Sequence, residues 1–418
     1  MTARPVSVEW ATDSVYDAAG DAWDGTPTKV AIPAATRAEG FEPTQKLPAQ
    51  YFNELVSGHA LALAYLLNVQ IANWRRCLVT DAGGADPWGG DDVVFRCGLW
   101  NQSITAPLGE LMLFGDVDSD SGNQLLARSE SGAIPGAWNL AAAEIIDATT
   151  PATSIYAAIH DTTNGLIVIC GTDHVYTRPQ SGSTTWTQRV APAGVDLRAL
   201  AFGSGTGAPV LIAVGEELAT DDMRIYSSAD GTTWTLRDSQ TDRPMYGVAN
   251  QPGVMWVAVG DNNAGVAKIY RSANGTAWTE STSGVPTGAN SALRSVVYDS
   301  RSGLFCACGL TGTRVTSPDG ITWTDQTDTA DGWGTDQIPS GGLATDGEGT
   351  ILAVSQGTAP RVWVSTDGGV TWSGGHGPQM DAITLAEGSP FYAGIHGWII
   401  PGRVNGVTDA SIYVSLRL

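Results

Sequence analysis

Charge is scarce in this 418-residue chain, where Asp, Glu, Lys and Arg together make up 16% of the residues. That excludes the highly charged, core-poor composition of a disordered protein, and an apolar content of 42% is enough to bury a real core. Cations are scarcer still. Lys and Arg number 22 against 43 Asp and Glu, for a formal net charge of −21, and no basic stripe interrupts the acidity. A bare nucleic-acid backbone is therefore excluded as partner, because phosphate binding needs clustered cations. The acidity itself reads as solubility and self-repulsion. Long apolar runs are missing too. The longest, Ala60 to Leu67, is too short to span a bilayer, so no membrane insertion is expected. The opening "MTARPVSVEW" has no apolar signal core, and synthesis and folding are expected in a cytoplasm. Cysteines are few: 77, 97, 170, 306 and 308, an odd number without a C-x-x-C pair. This excludes a disulfide framework and the common zinc patterns. Cys170, Cys306 and Cys308 sit in strand-like apolar stretches ("IVIC", "LFCAC") and read as small core residues. No cofactor is expected.

Glycine, at 51 residues, and tryptophan, at 15, are abundant, a composition suited to many short strands joined by tight turns. The tryptophans are ordered. "SSADGTTWT" ends on Trp234, "RSANGTAWT" on Trp278, "TSPDGITWT" on Trp323 and "VSTDGGVTWS" on Trp372, and weaker forms precede Trp138 and Trp186. Their spacings lie between 44 and 49 residues, a period that marks propellers and arrays. Each period carries four strand-like segments, such as "LRALAFG", "PVLIAVGE", "MRIYSSADG" and "TWTLRD". Four strands make a blade that cannot bury both faces alone, so the blades must close into a ring. The reading is mainly β: a seven-bladed propeller over 92–418, with six blades as the alternative. The last blade is read as "MDAITLAE", "FYAGIHG", "WIIPGRV" and "SIYVSLRL". The Trp-terminated segment is the hairpin between third and fourth strands. Asp230, Asn274, Asp319 and Asp367 accept turn amides there, glycine takes the positive-φ position, and the indole wedges against a neighbouring sheet.

These residues resemble the Asp-box, or BNR repeat, S-x-D-x-G-x-T-W. Ser365 to Trp372 matches it in full, the copies ending at Trp234 and Trp323 are one residue shorter, and Asn274 and Ala277 depart from it. The resemblance implies a propeller in which the box is peripheral architecture.

The first ninety residues differ in character. An extended Pro- and Thr-rich strip leads into one long α-helix starting near Pro48, whose stripe Phe52, Leu55, His59, Leu63, Leu66, Gln70 and Asn73 or Trp74 recurs at three- and four-residue steps. Such a stripe forms either a coiled-coil seam or a helix docked on the propeller's flank. The assignment is 1–80 for strip plus helix, 81–91 for a linker and 92–418 for the propeller. Trp23-Asp24-Gly25-Thr26-Pro27-Thr28-Lys29-Val30 and Gly40-Phe41-Glu42-Pro43, with Pro48-Ala49-Gln50 and Asn53, resemble the N-terminal module of tailed-bacteriophage virion proteins. That resemblance implies a tail, tail-fibre or baseplate-associated virion protein, assembled in the host cytoplasm. Residues 1–80 would contact other virion proteins and form a homo-oligomer, with a trimer favoured. Removing 1–80 is then expected to leave a soluble, β-rich monomer.

Catalysis is not expected. Asp-box propellers include sialidases, but the arginine-bearing F/Y-R-I-P motif of that family is absent; Phe95-Arg96-Cys97-Gly98 is nearest and lacks Ile-Pro. The inner strands offer only Asp299, Asp346 and Asp381, each at a strand end, for the carboxylate pair of a glycosidase. Arg198 and Arg294 enter equivalent inner strands, where they can face the central channel or form salt bridges at the rim. Trp333, between glycines and beside Asp331 in the loop 327–342, reads either as an exposed platform for a sugar ring or as an indole folded back onto its blade. Asp116, Asp118 and Asp120 have the spacing of half a calcium loop without its glycine and glutamate, and read as a solvated hairpin tip. The expectation is a non-catalytic virion protein displaying a propeller to host-surface glycan or to neighbouring subunits. The alternatives are a virion glycoside hydrolase (sialidase-like or a polysaccharide depolymerase) and a purely structural decoration protein.

Overall fold

The computed structural model describes residues 74–80, 93–101, 110–117, 124–129, 138–139 and 144–145, and most of 154–415. Within that last range the description omits 182–184, 190–192, 242–243, 328–332, 334–336, 357–360, 375–388, 395–396 and 404–409. The chain divides into units 1–65 and 66–418. The extended strip, the helix from Pro48 and the linker all lie outside the described residues.

The second unit is built of antiparallel sheets. Sheet one comprises Val93–Asn101, Glu110–Val117, Gln124–Ser129 and Glu144–Ile145. Sheet two comprises Ile155–Asp161, Leu166–Gly171, His174–Pro179 and Thr187–Arg189. Sheet three comprises Val195–Gly203, Val210–Glu217, Asp222–Ser228 and Thr235–Gln240, and sheet four Met245–Gln251, Met255–Asn263, Val266–Ser272 and Thr279–Glu280. Sheet five comprises Leu293–Asp299, Leu304–Gly309, Arg314–Ser317 and Thr324–Asp325, and sheet six Leu343–Thr345, Ile351–Val354, Val362–Ser365 and Ser373–Gly374. First strands of successive sheets touch one another and line the axis. The second strands are nearly continuous apolar runs, buried along their length ("LIVICG", "VLIAVG", "LFCACG"), because a sheet lies against each of their faces. The fourth strands are mostly exposed, as in Thr235–Gln240, and form the rim.

The core lies in the seams between sheets. Trp323 packs with Val257, Ile269, Phe305 and Val315 between sheets four and five, and Trp372 with Cys306, Cys308 and Ile351 between five and six. Trp278, Trp234 and Trp186 occupy the corresponding seams of sheets three–four, two–three and one–two. Each signature indole thus joins its own sheet to the preceding one, as the repeat predicts.

The hairpins before these tryptophans share one hydrogen-bond pattern. Asp230 Oδ1 accepts the amides of Thr232 (2.8 Å) and Thr233 (2.9 Å), and Asn274 Oδ1 those of Thr276 (2.9 Å) and Ala277 (3.1 Å). Asp319 and Asp367 do the same for Ile321 and Thr322, and for Val370 and Thr371. The glycine after each Asx has positive φ, for example 68° at Gly320, where a Cβ would also press on Val257 of the preceding sheet. Bonds from Thr232 and Thr233 hold the Asp230 carboxyl well below its usual value. Burial pushes Asp319 and Asp367 up, but the turn donors outweigh it and both are lowered. Carboxyls with depressed folded values contribute stability above the unfolded pKa of about 4, and lose it as pH falls through the folded value. Asn274 shows that an amide Oδ1 can fill the turn, but the combined variant D230N/D319N/D367N forfeits the charge that these turns favour, so it should be less stable than wild type at neutral pH. It should also lose stability less steeply in acid, measured by urea unfolding against pH. Asp319→Ala, which removes the acceptor, should cost about 1 kcal/mol at neutral pH.

The seventh sheet departs from the sequence reading. Its order is Phe391–Tyr392, Trp398–Arg403, Ala410–Ser415, then Trp74–Thr80, with Trp138–Asn139 added in parallel. Trp74–Thr80 pairs antiparallel with Ala410–Ser415, from Trp74 opposite Ser415 to Leu78 opposite Ser411. The segment assigned to the end of the N-terminal module is therefore the sheet's fourth strand, and "FYAGIHG" supplies the first. "MDAITLAE" lies outside the described residues. Phe391–Tyr392 touches the first strands of both sheet one and sheet six, so this sheet stands between the two ends of the series.

Candidate axial binding site

The inner strands of sheets one to five each carry one β-bulge near their start. The register skips one residue between Phe95 and Cys97, Ile155 and Ala157, Leu197 and Ala199, Met245 and Gly247, and Leu293 and Ser295. The skipped residues are Arg96, Tyr156, Arg198, Tyr246 and Arg294. A bulge leaves its extra residue out of the ladder and re-aims the side chain. Here all five line one cavity of about 450 Å³, together with Leu310, the Gln337–Ser340 loop, Gln356 and Ser389. A glycine of the second strand stands opposite each bulge, and the reason is steric. A Cβ on Gly215 or Gly309 would collide with the carbonyl of Asp196 or Ala292.

Around the axis, then, arginine and tyrosine alternate. Arg198 lies over the Tyr156 ring at 4.5 Å and Arg96 over the same ring at 5.6 Å, while Arg294 lies over Tyr246 at 3.8 Å. Carboxylates hold the arginines. Arg198 Nη2 donates to Asp196 Oδ2 (2.6 Å) and Glu216 Oε1 (2.7 Å), and its Nε to Glu216 Oε1 (3.2 Å). Arg294 Nη2 reaches Asp261 Oδ2 at 3.4 Å. Burial pushes the Asp196 carboxyl up from its ordinary value, against the pull of Arg198 and the Thr172 hydroxyl. Burial likewise raises Tyr246, opposed by Arg294. Two bulged residues also tie the ring through their carbonyls: Ser340 Oγ donates to Tyr246 O (2.9 Å), and the Ser389 amide to Arg96 O (2.6 Å).

Arg198 and Arg294 are each ion-paired and each line the cavity, so their ion pairs lie at the axis and not at the rim. Arg96, which lacks the Ile-Pro of the sialidase motif, joins them, while Tyr156 and Tyr246 were missed. Their signal was the repeat register, because each precedes the same inner-strand position as Arg198 and Arg294.

Trp333 takes the folded-back alternative, which corrects the platform reading. It is 1% exposed, stacked on Trp363 (4.8 Å between centroids) and edge-on to Trp372 (4.9 Å), with Arg314 over its face at 4.6 Å. An indole carries too much apolar area to stay in water when its loop can fold back onto a seam. Asp331, Asp118, Asp120 and Asp381 lie outside the described residues, and Asp116 is a strand residue opposite Val94. Asp299 and Asp346 serve turns: Asp299 Oδ2 accepts the Ser302 amide (2.8 Å), and Asp346 Oδ1 those of Glu348 (2.8 Å) and Thr350 (2.9 Å). Among the described residues, no group of three or more His, Cys, Asp or Glu gathers as metal ligands. No helix among them is long and apolar enough to cross a membrane.

No protein-family model matches the chain, and no curated protein does. Solved structures do. YCF48 bound to a D1 peptide aligns with a TM-score of 0.53 at 13% identity, over 82% of this chain and 96% of that one. The Dos1 propeller aligns at 0.49 and 11%, over 82% and 96%. An ancestral GH74 enzyme aligns at 0.44 and 16%, over 59% of this chain and 34% of the enzyme. At such identities the likeness concerns the fold alone, and with the antiparallel four-stranded sheets it makes this chain a β-propeller.

Proposed function

We propose that the chain is a non-catalytic, virion-attached propeller of seven Asp-box blades that engages a host-surface glycan at its axial cavity. One observation carries the binding reading. Five repeat-equivalent bulges aim Arg and Tyr side chains into one cavity whose described wall holds no Asp or Glu. Glycosidase chemistry needs two carboxylates flanking the bond to be cut, and Asp299 and Asp346 are engaged in turns instead. The seven-blade count is supported by the seven sheets, the last completed by Trp74–Thr80. The virion assignment rests on the resemblance of residues 23–30 and 40–53, with 1–73 as the attachment and oligomerisation segment. A peptide is the ligand of YCF48 in one similar structure, so contact with a neighbouring subunit is the second reading of the same face.

The test is incubation of the full-length protein with surface polysaccharide from candidate host cells, measuring retention and chain length together. Retention at unchanged length is expected. Shortened chains would overturn the non-catalytic assignment, and no retention from any host would leave the subunit-contact reading.

A further inference from the structure

We propose that Asn274 is a self-processing site, where the folded hairpin converts its own carboxamide to a carboxylate, with water as co-reactant and ammonia as by-product. It stands apart from any ligand reading of the axial cavity. The starting point is an odd residue at a repeated position. Asp230, Asp319 and Asp367 hold their turns as carboxylates, and Asn274 holds the equivalent turn as an amide. Glycine follows it, and a residue without a side chain leaves its backbone nitrogen open to the neighbouring carboxamide. Gly275 is there for the fold: its φ is 74°, and a Cβ would press on Ile212 and Val210 at 3.1 Å.

The turn surrounds the reacting atoms with the groups the reaction needs. Asn274 Oδ1 accepts three donors, the amides of Thr276 (2.9 Å) and Ala277 (3.1 Å) and the Ser272 hydroxyl (3.2 Å). Donors so placed stabilise the oxyanion that forms when a nucleophile adds to a carbonyl carbon. The nucleophile is the Gly275 nitrogen, whose N–H donates to the same Ser272 Oγ at 2.9 Å. Ser272, 1% exposed, thus bridges the proton to be lost and the oxygen that receives one. Gly275 N bonds to Asn274 Cγ while its proton passes to Ser272 Oγ and the Ser272 hydroxyl proton passes to Oδ1. The Cγ–Nδ2 bond then breaks. Nδ2 takes the Oδ1 proton through water and leaves as ammonia, and a cyclic imide remains. Water reaches the exposed Asn274, adds at Cγ under the same donors and cleaves the new Cγ–N bond. The product is aspartate, the residue of the other three turns.

The same dipeptide is held differently elsewhere. Of the three Asn–Gly pairs in the chain, 405–406 lies outside the described residues. Asn164, before Gly165, is exposed too, but its carboxamide is engaged through nitrogen. Nδ2 donates to Asp161 Oδ2 (2.7 Å) and Ala229 O (2.9 Å). Those bonds retain the leaving group and set a carboxylate beside the carbon, where its charge opposes a developing oxyanion. Asn164 is therefore a control with the same sequence and the opposite environment.

The test follows both sites in the full-length protein, folded in buffer and unfolded in guanidinium chloride at the same pH. Peptide mapping by mass spectrometry reads the replacement of the side-chain NH2 by OH. Asn274 should convert about tenfold faster folded than unfolded, below the roughly 10²–10³ that one donor supplies in a water-excluded site. Asn164 should convert more slowly folded than unfolded. Ser272→Ala should bring the folded rate at Asn274 down to the unfolded one, with circular dichroism checking the fold. If Ser272→Ala does not fold, the folded-to-unfolded ratio of the wild-type protein decides. A folded rate at Asn274 equal to or below the unfolded rate overturns the proposal, because the turn then protects the amide. So does an unchanged or faster rate in a folded Ser272→Ala, or isoaspartate as the main folded-state product.

Discussion

Deleting residues 1–80 should strongly destabilise the propeller, whereas deleting residues 1–73 should leave it folded. The difference is seven residues, Trp74–Thr80, which form the fourth strand of the seventh sheet. They pair backbone to backbone with Ala410–Ser415 over five registered positions. Each net hydrogen bond contributes about 0.5–1.5 kcal/mol, so at one bond per registered position the strand accounts for about 2.5–7.5 kcal/mol. The loss goes beyond the ladder. A strand from near the chain's start meets one from near its end, so the pairing fastens two distant segments of the propeller. Without it Ala410–Ser415 becomes an unpaired edge, a template for association with another copy. Urea unfolding should show the shorter deletion close to full length and the longer one with a much lower midpoint. Size-exclusion chromatography should show aggregation only for the longer one. Equal midpoints would mean the strand is not a clasp. The expectation of a well-behaved monomer after deleting 1–80 is accordingly replaced by the cut at 73.

Trp333→Ala should cost about 3–5 kcal/mol, well above the loss of a turn acceptor such as Asp319. The indole is enclosed by Trp363, Trp372 and Arg314 in the seam between sheets five and six, with Ile338 and Leu343 alongside. Truncation opens a cavity among large rings that cannot collapse to fill it. It also strips the cation–π partner from Arg314, itself 1% exposed, leaving that guanidinium the carbonyl of Gln326 as an acceptor. Denaturant unfolding measures the loss. Polymer retention by the fraction still folded should be unchanged, which separates a seam residue from a sugar platform. Lost retention at unaltered stability would restore the surface role read from the sequence.

Much of the fold was legible because it is encoded locally and repeatedly. Apolar runs bounded by glycine mark the second strands, and Asp or Asn two to four residues before its turn amides marks the hairpin. A tryptophan every 44 to 49 residues marks each seam. Each signal acts over a few residues and is averaged over several copies. Arg198 and Arg294 were found the same way, by their place in the repeat. What escaped depended on distant partners. Nothing within Trp74–Thr80 says that its ladder partner lies at 410–415. Trp333 between glycines looks like a surface residue until Trp363 and Trp372 are seen to meet it. Tyr156 and Tyr246 were ordinary strand residues in the sequence, and Arg96 stood out only beside a motif it does not complete. Their bulges, and the glycines opposite, turn them to the axis beside Arg198 and Arg294. The sequence by itself therefore determined the blade, because periodicity and turn chemistry are properties of neighbours along the chain. The clasp, the buried Trp333 and the arginine–tyrosine crescent were decided only by tertiary structure, because each is a meeting of residues from different sheets.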